Sequence, residues 1–226
     1  MDLHPVGFAV PVEKPAFSGM VLEGSRTLGV PLTPAQADAL SWLASELERW
    51  SSRINLTAIL DPIQVADKHI LDSLTALPAL PPGAIRVLDA GSGAGFPGLP
   101  LAIARQDLEI TLVDSVAKKV GFLKHAIAHL GLAPRVRALH LTLRGTPGPE
   151  GLPPFDAAVS RALADPARWS SLAAPYLRPG GTLVVMAGPD APATPLAGWT
   201  GPSVARVRLP LTGTGRTVLS YRKDAG

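Results

Sequence analysis

Apolar residues recur at helical spacing in the first third of the chain and in short continuous runs after it, so two kinds of element are predicted. Leu40, Leu43, Leu47, Trp50 and Ile54 are three and four residues apart, which puts one apolar stripe on a helix. Thr33-Pro34-Ala35-Gln36 supplies its start: a hydroxyl N-cap, proline at the first helical position, and Gln36 where a capping box closes. Asp61-Pro62-Ile63-Gln64 repeats the signal and predicts a second helix running to about Leu77, with Asn55-Leu56-Thr57 as the loop between. Residues 1–30 hold irregularly spaced Pro and Gly and show no period. Residues 1–32 are therefore read as a loosely ordered arm.

After this point the pattern changes. Residues 85–89, 109–113, 136–139, 155–160 and 182–186 are runs suited to buried strands. Helices are expected at 99–104, 117–130 and 165–177, the last closed by Pro179-Gly180-Gly181. Residues 145–154 read as a loop. Residues 203–209 and 216–221 suit two final strands, with Thr212-Gly213-Thr214-Gly215 as the hairpin linker. Strands alternating with helices imply an α/β fold, a mostly parallel sheet covered on both faces. The expected organisation is an arm (1–32), a helical extension (33–82) and an α/β domain (83–226).

Composition narrows the functional classes. The 226 residues include no cysteine, which excludes disulfides and thiolate chemistry. With 46% hydrophobic and 17% charged residues the chain is not broadly disordered. No apolar run approaches the ~18 residues of a membrane span, and the N-terminus does not read as a secretory signal. A cytoplasmic protein is expected. Net charge is only +3, but it is unevenly placed. Residues 1–114 hold 7 Lys/Arg against 13 Asp/Glu, and residues 115–226 hold 14 against 5. No acid occurs from Ser115 to Pro149, where Lys118, Lys119, Lys124, Arg135, Arg137 and Arg144 fall. Such a stretch suits a polyanion such as nucleic acid, or else is a solvated face balanced elsewhere.

The chemistry centres on Val87-Leu88-Asp89-Ala90-Gly91-Ser92-Gly93-Ala94-Gly95-Phe96-Pro97-Gly98. Glycines here let a strand turn sharply into a helix and let a ligand approach the backbone. Gly93-x-Gly95-x-x-Gly98 taken literally is also a dinucleotide fingerprint. Asp89 separates the readings. At the mouth of the turn a carboxylate repels a pyrophosphate but favours the ammonium and sulfonium of S-adenosyl-L-methionine. Asp114, ending the next strand, can accept both ribose hydroxyls.

With these residues in view, the chain resembles the bacterial 16S rRNA (guanine-N7)-methyltransferases of the RsmG (GidB) type. The resemblance covers residues 33 to 222. It is carried by Asn55-Leu56-Thr57-Ala58-Ile59, Lys68-His69-Ile70-Leu71-Asp72-Ser73-Leu74, the run from Leu88 through Gly98 to Leu101, Leu112-Val113-Asp114-Ser115, Lys118-Lys119 and Ser160-Arg161-Ala162. It implies a Rossmann-like seven-stranded S-adenosylmethionine-dependent methyltransferase fold, mostly parallel with the last strand antiparallel, and a small N-terminal helical extension. It implies methyl transfer to N7 of a guanine in 16S rRNA, with 16S rRNA or the 30S particle as partner, no metal, and a monomer. By that resemblance Arg161, Asn55 and His69 are catalytic candidates. Asp89, Gly91, Ser92, Gly93, Gly95, Phe96, Asp114, Ser115, Thr142, Leu143 and Arg161 are cofactor contacts, and Lys118, Lys119, Lys124 and Arg161 contact RNA. The chain departs from the family in having Ala187-Gly188 where a Lys usually precedes the Gly, and Leu141-Thr142-Leu143-Arg144 where an Arg and a Glu are common.

Guanine N7 carries a lone pair and no proton, so its methylation calls for positioning rather than a general base. Arg161 could hold guanine O6 or a phosphate, or could be an ion-pair partner of a nearby acid. His69 and Asp72 either line the pocket mouth or form a core histidine capped by an acid. Trp42 and Trp50 read as core anchors. Two rivals remain: a nicotinamide-dependent oxidoreductase, and a cofactor-binding ribosome-associated protein without turnover.

Overall fold

The computed structural model describes residues 14–146, 152–161 and 165–225. Helix α1 spans Lys14–Thr27 and α2 spans Pro34–Ile54. Thr33 caps α2 as expected, its hydroxyl accepting the Gln36 N–H while the Gln36 side chain accepts the Thr33 N–H. Asp61 likewise caps the next run, accepting the Gln64 N–H at 2.9 Å. That run is not one regular helix: α3 (Pro62–Val65) passes through a π-helical segment (Ala66–Leu71) into α4 (Asp72–Leu74). π-segments of this kind cluster at functional sites, because the widened turn re-aims side chains.

Residues 14–27 correct the expectation of a loose arm; residues 1–13 lie outside the described residues. The buried face of α1 carries Phe17, Ser18, Val21 and Ser25, and Gly24 meets Leu71 so closely that a side chain there would collide. Small residues at close-packed positions erase the apolar period that a helix normally shows.

The sheet contains β1 (Ile85–Ala90), β2 (Leu108–Asp114), β3 (Val136–His140), β4 (Phe155–Arg161), β5 (Leu177–Ala187), β6 (Trp199–Arg208) and β7 (Gly215–Lys223), in the order β3-β2-β1-β4-β5-β7-β6. Strands β3 through β5 are parallel, and β7 runs antiparallel to both β5 and β6. Helices α5 (Gly98–Ala104), α6 (Ala117–His129) and α7 (Pro166–Ala173) complete the fold.

Two expectations need adjusting. Pro179-Gly180-Gly181 lies inside β5, where the register shifts, and does not close a helix; α7 ends at Ala173 in a short 3-10 turn. β6 begins at Trp199 and takes in Gly201-Pro202 at a register shift, which an edge strand tolerates. Within the expected loop at 145–154, residues 147–151 are outside the described residues.

Successive strand residues point to opposite faces. Val87, Ile110, Leu112, Ala157 and Val159 form one core with Leu40, Leu43 and Leu47 of α2 and Phe122 of α6. Leu88, Ala90, Val113, Ala158 and Leu183 form the other, with Trp169, Tyr176 and Trp199. The helical extension thus covers one face of the sheet. Trp42 stacks on His129 of α6 at 3.8 Å, and Trp50 meets Phe122 edge-on, locking α2 to α6. Asp67, fully buried, accepts the N–H groups of Leu211 and Thr212, tying the π-segment to the β6–β7 hairpin. The strand order reverses between β1 and β4, where open α/β sheets carry their ligand crevice at the carboxyl ends of the strands.

Candidate active site

The turn after β1 is built from its own backbone. Gly91 and Ser92 N–H both donate to the Val113 carbonyl, at 2.8 and 3.0 Å. The Ser92 hydroxyl donates to the Asp89 carbonyl and accepts the Val113 N–H. Ser92 is therefore a staple of the turn, with its side chain spent internally. Gly91, Gly93 and Gly95 have φ of 68°, 57° and 90°, the left-handed region that side chains resist. Gly98 is needed for space: a side chain there would collide with Leu112 and with the Asp89 carboxylate.

Asp89 is fully buried. Its Oδ2 accepts the Gly98 N–H at 2.9 Å, while Oδ1 has no hydrogen-bond partner among the described residues. Burial pushes the carboxyl up to about 7, against the pull of the Gly98 N–H, Ser92 and the Arg161 charge. Asp114 is also buried, its Oδ2 accepting the Gly93 N–H and Oδ1 the Val116 N–H, each at 2.8 Å. Two acids at adjacent strand ends thus flank the glycine turn. Asp114→Ala is expected to weaken cofactor affinity and also to loosen the turn, because two backbone N–H groups lose their acceptor. Asp114→Asn, which keeps one acceptor, should show weakened binding with a smaller loss of melting temperature. Equal cofactor affinity in calorimetric titrations of wild type and both variants would remove Asp114 from the site.

At the end of β4, the Arg161 guanidinium is held from four sides. It donates to the Lys68 carbonyl at 2.7 Å, pairs with Asp72 Oδ2 at 3.4 Å, lies 3.3 Å from His69 Nδ1, and sits 5.5 Å from the centre of the Phe96 ring. Asp72 Oδ1 also takes Arg216 Nε at 3.1 Å. Burial raises the Asp72 carboxyl, and its two arginines pull it back. His69 stacks on Phe96 at 4.8 Å with 14° between the planes, and its Nε2 is 2.9 Å from Thr57 Oγ1. Burial and the Arg161 charge push His69 down to about 4, against the pull of the Lys68 backbone, so it is neutral near pH 7. A cavity of about 440 Å³ opens beside this cluster, lined by Arg161, His69, Asp72, Ile59, Met186 and Ala187 among others.

The structure therefore brings together Arg161, His69, Phe96 and Asp89; Arg161 is the ion-pair partner of Asp72, and it also lines the cavity. Asn55 is not drawn into the cluster. It is exposed and takes a left-handed conformation, φ 47°, that ends α2; its neighbour Thr57 makes the contact instead. Ser115 is exposed and its carbonyl lies 3.0 Å from His140 Nε2. Thr142 is exposed and Leu143 leans on the second core. Lys118 and Lys124 are exposed on α6 and Lys119 is half-buried. Ala162 lies outside the described residues. Sequence reasoning missed Thr57 against His69 and Arg216 against Asp72.

Fold and site define the class: a Rossmann-like S-adenosylmethionine-dependent methyltransferase. Two solved structures share the fold alone, the [4+2]-cyclase SpnF (18% identical, TM-score 0.54, covering 87% of this chain and 99% of that one) and a predicted O-methyltransferase, Atu636 of Agrobacterium tumefaciens (19%, TM-score 0.53, 70% and 80%). Residues 36–194 match the family model of rRNA small subunit methyltransferase G, GidB. Proteins called ribosomal RNA small subunit methyltransferase G are 45% identical over 216 residues in Anaeromyxobacter sp. strain Fw109-5 (92% of this chain, 99% of that protein) and 42% over 214 residues in Myxococcus xanthus DK1622 (92% and 98%). The chain belongs to the rRNA small subunit methyltransferase G family.

Proposed function

We propose that this protein methylates N7 of a guanine in 16S rRNA, using S-adenosyl-L-methionine, with the base seated in the cavity beside Arg161. The unpartnered Asp89 Oδ1 fits the cofactor: an ammonium or an ordered water next to it satisfies the one buried acceptor that the turn leaves open. Asp114 and the glycine backbone fit the ribose side. When bound, the cofactor supplies an electrophilic methyl group.

The observation that carries the reading is the commitment of Asp72 and His69, the buried ionisable side chains beside Arg161 in the cavity. Asp72 lies between two guanidiniums, and both nitrogens of neutral His69 face polar neighbours. Asp165, also on the lining, is exposed and accepts the Arg168 N–H as the cap of α7, and neither Asp72 nor His69 is a free general base. A nucleophile without a proton needs none. Arg161 is then left to orient guanine through O6 or a backbone phosphate while N7 attacks. Mapping of N7-methylguanosine in 16S rRNA from 30S particles of a strain lacking the modification tests this. Incorporation with this protein supports it; cofactor binding without incorporation would leave a ribosome-binding protein lacking turnover.

The lysines of α6 support an approach of the RNA backbone on the Asp114 side of the site, since α6 follows that acid directly. Reversing Lys118, Lys119 and Lys124 to Glu is expected to weaken RNA binding and to flatten the slope of log affinity against log salt, by about one for each phosphate that is no longer neutralised. Filter binding across a salt series measures this, and an unchanged slope would return these lysines to plain surface. A ribosomal substrate supports a cytoplasmic reaction, and no described helix is long and apolar enough to cross a membrane.

A further inference from the structure

We infer that Thr57 is a positioning residue for methyl transfer: it holds His69 in the tautomer whose Nδ1 accepts from Arg161, and thereby aims the guanidinium at the cavity. This rests on the reading that Arg161 orients the substrate base. Four segments distant in sequence meet at this point, the loop after α2, the π-segment, the glycine turn and the end of β4.

The tautomer follows from donor and acceptor bookkeeping. A guanidinium only donates, so His69 Nδ1, 3.3 Å from Arg161 Nη2, has to present a lone pair. In a neutral imidazole the proton then resides on Nε2, which lies 2.9 Å from Thr57 Oγ1. Thr57 Oγ1 is already an acceptor, since it takes the Ile59 backbone N–H at 3.0 Å. A hydroxyl has two lone pairs, and here one serves Ile59 and the other His69. The hydroxyl keeps its own proton, so the direction is set from the Arg161 side: with Nδ1 bare, Nε2 carries the proton and Thr57 Oγ1 accepts it, which stabilises that tautomer. Phe96 holds the ring plane by stacking, and the same phenyl face lies under the guanidinium.

Loss of the Thr57 hydroxyl frees the ring to adopt the other tautomer, which turns an N–H toward Arg161. Arg161 keeps the Lys68 carbonyl and Asp72, so it stays anchored but loses its aim. The consequence belongs to the chemical step and not to cofactor affinity, because Thr57 touches neither Asp89 nor Asp114 in any hydrogen bond of the structure.

The test compares Thr57→Val, which preserves shape, with Thr57→Ser, which restores the acceptor. Single-turnover methyl transfer to 30S particles is expected to slow about three- to tenfold in Thr57→Val, with S-adenosylmethionine affinity unchanged, and to recover in Thr57→Ser. In the ¹⁵N spectrum of histidine-labelled wild type, His69 should show a protonated Nε2 and a bare Nδ1; the valine variant should show a mixture. A wild-type rate in Thr57→Val, failure of serine to rescue, or a wild-type ring protonated at Nδ1 would each overturn the inference. Should wild-type protein transfer no methyl group, the proposed function fails, and the ring spectrum still decides whether Thr57 sets the tautomer.

Discussion

Asp89→Asn is expected to stabilise the ligand-free protein at pH 8 while weakening S-adenosylmethionine binding by at least about tenfold. The two effects share one cause. In the unfolded chain the carboxyl titrates in the ordinary range near 4; in the folded protein burial pushes it up to about 7. Folded protein therefore binds the proton more tightly, and stability from this residue is greatest below about pH 4, falls as pH rises to about 7, and is flat above. The full cost is on the order of 4 kcal/mol. Asparagine keeps an acceptor for the Gly98 N–H and removes the charge, but leaves its own amide donors to be satisfied. A net gain of about 2 kcal/mol above pH 7 is the expectation.

A cationic ligand group beside Oδ1 reverses the balance, because it favours the ionised carboxyl. Wild-type affinity should therefore weaken as pH drops below about 7, by up to tenfold per unit, with a proton released on binding. In Asp89→Asn the affinity should be low and independent of pH. Urea denaturation at pH 5 and pH 8, with calorimetric titration at pH 6 and pH 8 in buffers of different ionisation enthalpy, measures both arms. Tight, pH-independent cofactor binding by the asparagine variant would contradict the role given to this acid.

The second large effect is expected from Asp72→Asn: a loss of about 2–3 kcal/mol of stability and of tenfold or more in methyl transfer. Asp72 is 1% exposed and sits between Arg161 and Arg216. Taking away its charge leaves two guanidiniums facing each other without their counter-ion. Breaking one partner of a buried pair costs about 3–5 kcal/mol, and the lower figure applies here because the two arginine side chains are 21% and 22% exposed and keep some water. Activity falls for a separate reason: Arg161 is no longer pulled toward α4, and its angle over Phe96 changes. Thermal melts and methyl-transfer rates would show both. A variant with unchanged melting temperature and rate would mean that this ion triad neither supports the fold nor positions Arg161.

Much of the site was legible because its parts are local in sequence. The cap at Thr33 with Gln36, the cap at Asp61, the strand–turn–helix around Asp89 and the acid ending β2 each depend on residues within one turn of each other. Other residues have structural duties that the sequence alone did not announce. Ser92 looked like a ligand contact, yet its hydroxyl is taken by β1 and β2. Asn55, a catalytic candidate, also ends α2, a place that calls for a left-handed residue, a conformation that asparagine accepts. Helix α1 was invisible because Gly24 and its serines are chosen for closeness to Leu71 and α2, not for hydrophobicity.

Local chain chemistry dictated the caps, the alternation of strand and helix, the glycine turn and the pair of acids that flank it, since backbone geometry and side-chain period operate over a few residues. Only folding decided that Arg216, 144 residues from Asp72, completes the ion triad, and that the π-segment carries His69 onto Phe96. Side-chain charges and ring planes act through space over a few ångströms. Which of them meet is set by how the sheet twists and how the helices are laid across it, and no spacing along the chain encodes that directly.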